Sequence, residues 1–301
     1  MGNINRKQIR QRFTENTDIG KMEQYSINLA TMKTDELLEK YLKLPESREG
    51  VYINSDLMKM IFDFYAESIE NRKKYNMSVT NSAAVLTNEL YIRTIKKSDI
   101  KKCIFIVGPY GAGKSYFVQA LFENKELLDN GIIYEGSITP PAFDEKIQLA
   151  IDNEVTPYII ALNPTLELSL NNIKERAKET GRDVERKEVL DKFSNFYKYM
   201  VDIVQKFEDI NYLIYNKEAN VPLSTDCSSK NLEDLNHGSI EDIEKEYDKI
   251  ISALEQCDKE TEISLKHLLK DGLESGLTIE DTIKSARAES MEVISKEEIR
   301  D

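Results

Sequence analysis

Eight consecutive residues in the first half of the chain, Gly108 to Ser115 (GPYGAGKS), combine glycines, a lysine and a hydroxyl at a spacing suited to holding phosphate. They fit the pattern G-x-x-x-x-G-K-[ST], follow the apolar run CIFIV and precede a helical pattern, which is the strand–loop–helix context of a P-loop. Glycines let the backbone curl so that N–H groups and a helix N-terminus point at phosphate oxygens. The expected phosphate-binding residues are Gly108, Pro109, Tyr110, Gly111, Ala112, Gly113, Lys114 and Ser115.

Two of these side chains have distinct expected roles. Lys114 is expected to reach the β- and γ-phosphates, and the Ser115 hydroxyl to ligate Mg²⁺. The alternative is a glycine-rich turn that binds nothing, and the complete pattern behind a buried strand argues against it. The sequence therefore predicts ATP and Mg²⁺ as cofactors.

Composition excludes several classes of partner. The chain has 301 residues, of which 32% are charged, and a formal net charge of -13, which disfavours non-specific binding to nucleic acid or to an anionic membrane. No apolar stretch approaches the length of a membrane-spanning helix, and the N-terminus lacks an apolar signal core. Cys103, Cys227 and Cys257 lie far apart and indicate reduced thiols. We expect a cytoplasmic protein with no membrane partner.

Strand and helix patterns alternate along most of the chain, which predicts an α/β fold with a parallel sheet covered on both faces. The expected fold is a P-loop kinase-type parallel sheet flanked by helices, with helical N- and C-terminal extensions. Residues 4–44 have a helical pattern, and a kinase domain is expected over 1–222, followed by an acidic helical appendage over 223–301. Expected strands cover 51–53, 103–107, 131–135, 157–162 and 212–215, and expected helices cover 57–75, 79–96, 143–153, 166–179 and 186–207.

Residues at the strand ends favour a kinase over a motor ATPase. Motor ATPases carry an apolar strand that ends in Asp or Asp-Glu, whereas the strand YIIALN ends without an acid. A small-molecule kinase needs a carboxylate that accepts the proton of the acceptor hydroxyl, and fixed positive charge for the transferring phosphoryl group. Asp56 and Glu135 stand at strand ends, and Arg176 and Arg182 bracket the end of a helix.

Four fragments besides the P-loop resemble the zeta toxins, the P-loop kinases of epsilon/zeta-type toxin–antitoxin systems. ERAKETGRDV resembles their arginine lid, YINSD their strand that ends in the catalytic aspartate, IIYEGS their V-I-E-G-T strand, and NYLIYNKE their closing strand. The resemblance covers about residues 50–220. It departs from the family in order, because YINSD precedes the P-loop here. A parallel sheet permits such a permutation. If the aspartate strand lies beside the P-loop strand, the Asp56 carboxylate must lie close to the γ-phosphate position.

The resemblance implies a role for each matching residue. Asp56 would be the general base, with a helix N-cap as the alternative. Glu135 would hold the acceptor, as would Glu89, and the alternative for both is a solvated carboxylate. Arg176 and Arg182 would neutralise the phosphates, with solvated arginines as the alternative.

The resemblance further implies phosphorylation of a nucleotide sugar similar to UDP-N-acetylglucosamine, the activity of a toxin whose partner is a polypeptide antitoxin. Two other functions stay open. One is a kinase for another nucleotide or a polynucleotide end, and the other is a nucleotide-gated interaction protein without phosphotransfer.

Overall fold

The computed structural model describes residues 4–122, 128–180, 184–207, 210–217 and 228–254. The chain divides into two compact units, Met1–Glu244 and Lys245–Asp301. The expected boundary after residue 222 lies outside the described residues, as does most of the expected C-terminal appendage. In the second unit, residues 245–254 are helical.

The first unit is built on a sheet of the α/β type, with five parallel strands in the order β1-β3-β2-β4-β5 and a short antiparallel strand, β6, at the β5 edge. This arrangement confirms the expected parallel sheet and is consistent with a P-loop kinase-like fold. The strands are β1 (Tyr52–Asn54), β2 (Lys102–Val107), β3 (Gly131–Glu135), β4 (Thr156–Pro164), β5 (Asn211–Lys217) and β6 (Ser228–Ser229).

Helices flank the sheet and also form the N-terminal part of the unit. The α-helices are α1 (Asp18–Met32), α2 (Thr34–Leu42), α3 (Ser55–Met58), α4 (Asp63–Ala66), α5 (Ile69–Ile95), α6 (Lys114–Phe122), α7 (Ala142–Asp152), α8 (Leu166–Thr180) and α9 (Arg186–Lys206), and residues 240–244 are also helical. Short 3-10 helices cover Arg6–Gln8, Pro45–Gly50, Lys59–Ile61 and Leu232–Leu235. Among the residues described, no helix has the length and apolar character needed to cross a membrane.

The central strand β2 is buried on both faces, as expected for a parallel sheet between two layers of helices. Alternate side chains of a strand point to opposite faces. Phe105 and Val107 accordingly join the larger core, to which α1, α5, α7 and α9 contribute, whereas Ile104 and Ile106 join a smaller core with α6. These two cores fix the carboxyl end of β2, from which the P-loop leaves.

Two local predictions of secondary structure were wrong. The two helices expected over 57–75 and 79–96 are one 27-residue helix, α5, preceded by the short turns α3, Lys59–Ile61 and α4. The helix begins after Ser68, whose hydroxyl accepts a hydrogen bond from the Asn71 N–H at 3.1 Å, as an N-cap does. Residues 9–16 are not helical although 4–44 was expected to be.

The aspartate strand, β1, does not lie directly beside the P-loop strand, β2. Strand β3 lies between β1 and β2, so β1 is at the edge of the sheet. Because all five strands are parallel, their carboxyl ends still share one edge. The chain leaves β2 for β3 on one side and then crosses to β4 on the other, which makes this edge a topological switch point, where α/β proteins bind ligands.

Candidate active site

The P-loop connects the end of β2 to the first turn of α6. Gly111 and Gly113 have φ of 74° and 75°, a left-handed conformation that glycine adopts without the cost other residues meet. The half-buried Lys114 ammonium donates hydrogen bonds to the carbonyls of Gly108 and Pro109, both at 2.9 Å. Burial lowers the pKa of Lys114, while the negative charges of nearby carboxylates oppose that shift. The loop thus holds its own lysine at the position where phosphate is expected.

Helix α8 is locked directly onto this loop. The Asn172 side-chain amide donates a hydrogen bond to the Gly111 carbonyl at 2.7 Å. A Cβ atom on Gly111 would lie only 2.2 Å from the Ser169 carbonyl oxygen, so the two backbones meet at a distance that only glycine permits. This contact fixes the helix that carries Arg176 against the P-loop.

Glu135 ends β3 next to the P-loop and is only 7% exposed. It accepts hydrogen bonds from the Ser115 hydroxyl, at 3.1 Å to Oε2, and from the Tyr52 hydroxyl. Burial raises the pKa of Glu135, an effect that the Lys114 charge and the Tyr52 hydrogen bond oppose. Glu135 is therefore a buried carboxylate bound to the P-loop serine, not the solvated carboxylate of the alternative interpretation.

Asp56 lies in the first turn of α3, just after β1. The N-cap of that turn is Asn54, whose side chain accepts a hydrogen bond from the Leu57 N–H at 2.7 Å. Asp56 Oδ1 instead lies 3.0 Å from the Lys59 ammonium, and its side chain is 39% exposed. Asp56 therefore does not act as the N-cap, which was the alternative to a general base.

The remaining predicted residues differ in position. Arg176 lies near the P-loop, and its charge contributes to lowering the pKa of Lys114. Arg182 lies outside the described residues. Glu89 accepts a hydrogen bond from Arg93 at 2.7 Å. It does not share the face of α5 formed by Asn76 and Thr80, which are four residues apart.

One cleft of about 1090 Å³ gathers most of the predicted residues. It lies at the shared carboxyl edge of the strands and is lined by P-loop residues, β1 and β3 ends, α5 and α8. The cleft is lined by nine of the residues that were predicted to have a function: Asp56, Tyr110, Gly111, Ala112, Gly113, Lys114, Ser115, Glu135 and Arg176. Glu89 is not among the lining residues.

Sequence reasoning missed several residues of the cleft. Tyr52 binds Glu135, and Lys59 binds Asp56. Glu188 of α9 is hydrogen-bonded to Tyr110, and burial is the main reason that the pKa of Tyr110 is raised to about 12. The i, i+3 spacing of Asp56 and Lys59 on a helical turn was the one available signal among these, since the other contacts join distant parts of the chain.

Arg12 also lines the cleft, although it comes from the N-terminal segment. Its backbone N–H and that of Phe13 donate to the buried Glu23 carboxylate at 3.0 and 2.8 Å. These hydrogen bonds hold the segment against α1, and no sequence pattern indicated them.

The cleft contains oxygen donors that suit Mg²⁺. Magnesium in nucleotide sites is bound by one or two carboxylates together with substrate phosphates and water, and Ser115 with Glu135 supplies a hydroxyl and a carboxylate in contact. Within the described part of the chain, no group of three or more His, Cys, Asp or Glu residues could hold a metal ion. The donor set fits an ion shared with a phosphate better than one held by protein alone.

The chain matches no protein-family model and no curated protein. The case for a function therefore rests on the residues and on the geometry of this cleft.

Proposed function

We propose that the protein is an ATP-dependent phosphotransferase that moves the γ-phosphate of ATP to a hydroxyl group of a small acceptor. The observation that carries this proposal is the meeting of Asp56, Lys114, Glu135 and Arg176 in one cleft. A nucleotide-gated interaction protein needs the P-loop but has no use for a second, half-exposed carboxylate such as Asp56 in the same cleft. Asp56 therefore favours transfer over gating.

Each residue has a distinct task in the proposed reaction. The acceptor oxygen forms a bond to the γ-phosphorus, the bond from that phosphorus to the bridging β–γ oxygen breaks, and ADP leaves. Asp56 takes the proton that the acceptor hydroxyl loses. Lys114 and Arg176 face the phosphates and offset the charge of the transferring group.

Ser115 and Glu135 would hold Mg²⁺, which would supply positive charge to offset the negative charge of the ATP phosphates. Glu135 thus takes a role in metal binding beside the acceptor-holding role that the zeta toxin resemblance implies. Strand β3, which carries Glu135, lies between β1 and β2. Tyr52 of β1 donates a hydrogen bond to the Glu135 carboxylate, and Ser115, in the loop and helix that follow β2, donates another.

For the acceptor, the resemblance to zeta toxins supports a nucleotide sugar of the UDP-N-acetylglucosamine kind. A cytoplasmic toxin with a polypeptide antitoxin as its partner would follow from that substrate. The cleft volume of about 1090 Å³ lies near the upper end of the range of about 300–1,000 Å³ that is usual for ligand pockets.

The experiment is to incubate the protein with ATP, Mg²⁺ and a panel of nucleotide sugars, and to detect phosphorylated product by mass spectrometry. Asp56→Asn should slow transfer by about 10²–10⁴-fold, the usual contribution of a general base, and leave ATP binding unchanged. Asp63→Asn is the matched control, because Asp63 is 92% exposed, pairs with Lys40 and does not line the cleft.

Two results would contradict the proposal. The first is the absence of phosphorylated product with every acceptor while ATP binds tightly, which would favour the gating protein. The second is an Asp56→Asn variant that transfers phosphate as fast as the Asp63→Asn control.

A further inference from the structure

Lys59 is a lysine in an unusual place. It begins the 3-10 turn Lys59–Ile61 and is only 7% exposed, between the fully buried Met58 and the nearly buried Ile61. Lysine is almost never so buried unless its charge is paired, because removing an ammonium group from water is costly. Its contacts therefore explain why a lysine occupies this position.

The Lys59 ammonium joins two elements of the cleft. It lies 3.0 Å from Asp56 Oδ1 and donates a hydrogen bond to Asn76 Oδ1 of α5 at 2.9 Å. The same Asn76 oxygen accepts a longer hydrogen bond, 3.4 Å, from the Tyr65 hydroxyl. The ammonium is thus held from α5 on one side and holds the aspartate on the other.

We propose that Lys59 is a positioning residue for Asp56, which keeps the carboxylate ionised and fixes its direction in the cleft. The role of Asp56 as the proton acceptor is part of the proposed function, and this inference rests on it. An opposite charge within about 4–6 Å favours the ionised form of a carboxylate. Because an aspartate accepts a proton only when it is ionised, Lys59 extends the activity to lower pH.

Other charged groups also face Asp56. Its negative charge influences Lys114, Glu135 and Tyr110, from the P-loop and the end of β3. Arg12, Glu46, Arg176 and Glu188 line the same cleft. Helix α5 contributes only uncharged side chains to the lining, Asn76, Met77, Thr80 and Ala84. Lys59 is a cation in direct contact with the Asp56 carboxylate, at 3.0 Å.

The test is Lys59→Met, which keeps an unbranched side chain, shorter by about one atom, and removes its charge. The acidic limb of the pH profile of kcat/KM should move upward by about 1–3 pH units, since a neighbouring cation shifts an aspartate by that amount. Below the new limb, activity should fall about tenfold per pH unit. The control is Lys40→Met, because Lys40 pairs with the exposed Asp63 and donates to the Ile61 carbonyl, outside the cleft.

A second readout does not depend on activity. With ¹³C-labelled aspartate, the carboxyl resonance of Asp56 is assigned by its loss in Asp56→Asn, and its titration should move upward in Lys59→Met by the same amount. Lys59→Gln, which retains a hydrogen-bond donor but no charge, should shift the Asp56 titration by the same amount. It replaces Lys59→Met in the experiment if the methionine variant does not fold. Wild-type protein without phosphotransfer would contradict the proposed function, whereas this titration decides the role of Lys59 alone.

An unchanged titration in the folded Lys59 variants would overturn the inference. An equal shift in Lys40→Met would do the same, since the effect would then not come from the contact with Asp56.

Discussion

Gly111→Ala adds one methyl group at the point where the P-loop touches α8. Gly111 has φ of +74°, so any other residue there is strained, by roughly 1–2 kcal/mol. The new Cβ would also lie 2.2 Å from the Ser169 carbonyl oxygen, whereas real Cβ contacts under 3.0 Å essentially do not occur. The loop and the helix must therefore move apart, and such overpacking lowers the free energy of unfolding by about 1–3 kcal/mol.

Gly238→Ala is the matched control. Gly238 has φ of +90°, but a Cβ there would meet its nearest atom, in the Asp242 side chain, at 3.6 Å, an ordinary contact. Both variants share the strain of the left-handed backbone, and only Gly111→Ala adds the clash. Urea denaturation should therefore show a loss of about 1–2 kcal/mol for Gly238→Ala and a further 1–3 kcal/mol for Gly111→Ala.

Nucleotide binding should separate the two variants more clearly. Moving α8 away breaks the Asn172–Gly111 hydrogen bond and displaces loop N–H groups that are expected to face phosphate. Calorimetric titration with Mg²⁺ and an ATP analogue should show at least about tenfold weaker binding for Gly111→Ala, equal to about 1.4 kcal/mol, and wild-type binding for Gly238→Ala. Equal stability losses with unchanged affinity in both variants would refute this account of the P-loop contact.

Two further substitutions test the cleft. Burial raises the pKa of Glu135 in the folded protein above its usual value of 4.5. The free energy of unfolding therefore falls as the pH rises from the pKa of the unfolded chain to the higher pKa of the folded protein, because ionising the buried carboxyl group is costly. Glu135→Gln should abolish Mg²⁺-dependent transfer yet raise Tm by roughly 2–4 °C at about pH 8 and not at about pH 4; a lower Tm at both pH values would contradict this. Arg176→Ala should reduce kcat by about 10³-fold, with partial recovery in Arg176→Lys. Steady-state kinetics check this against Lys178→Ala, a substitution of an exposed lysine that pairs with Glu175 and does not line the cleft. Equal kcat values in the two alanine variants would return Arg176 to a structural role.

The sequence predicted correctly those features that depend on residues close together in the chain. The P-loop is a continuous pattern, and its strand, loop and helix all lie where they were expected. Asp56 and Glu135 were recognised because they follow apolar strands, and parallel strands bring their carboxyl ends to one edge. These predictions needed only the local pattern and one general property of parallel sheets.

The sequence was less informative where distant segments decide the structure. The continuity of α5 was missed because the polar residues Asn76 and Ser78 interrupt the apolar pattern, although Asn76 lines the cleft and accepts a hydrogen bond from Lys59. The position of β3 between β1 and β2 is a choice of sheet order that local patterns do not encode. Glu89 was assigned to the acceptor, but its partner Arg93 is also bound to Asp35 of α2, 58 residues away.

The most direct test of the account is a crystal structure of the protein with Mg²⁺ and a non-hydrolysable ATP analogue. The measurement is the position of the γ-phosphorus relative to the Asp56 carboxylate. We predict that the γ-phosphate lies against Lys114 and that a single acceptor oxygen fits between it and Asp56, about 3 Å from each. A nucleotide bound outside the P-loop, or an Asp56 carboxylate too distant for one oxygen to bridge, would contradict the proposed phosphotransfer.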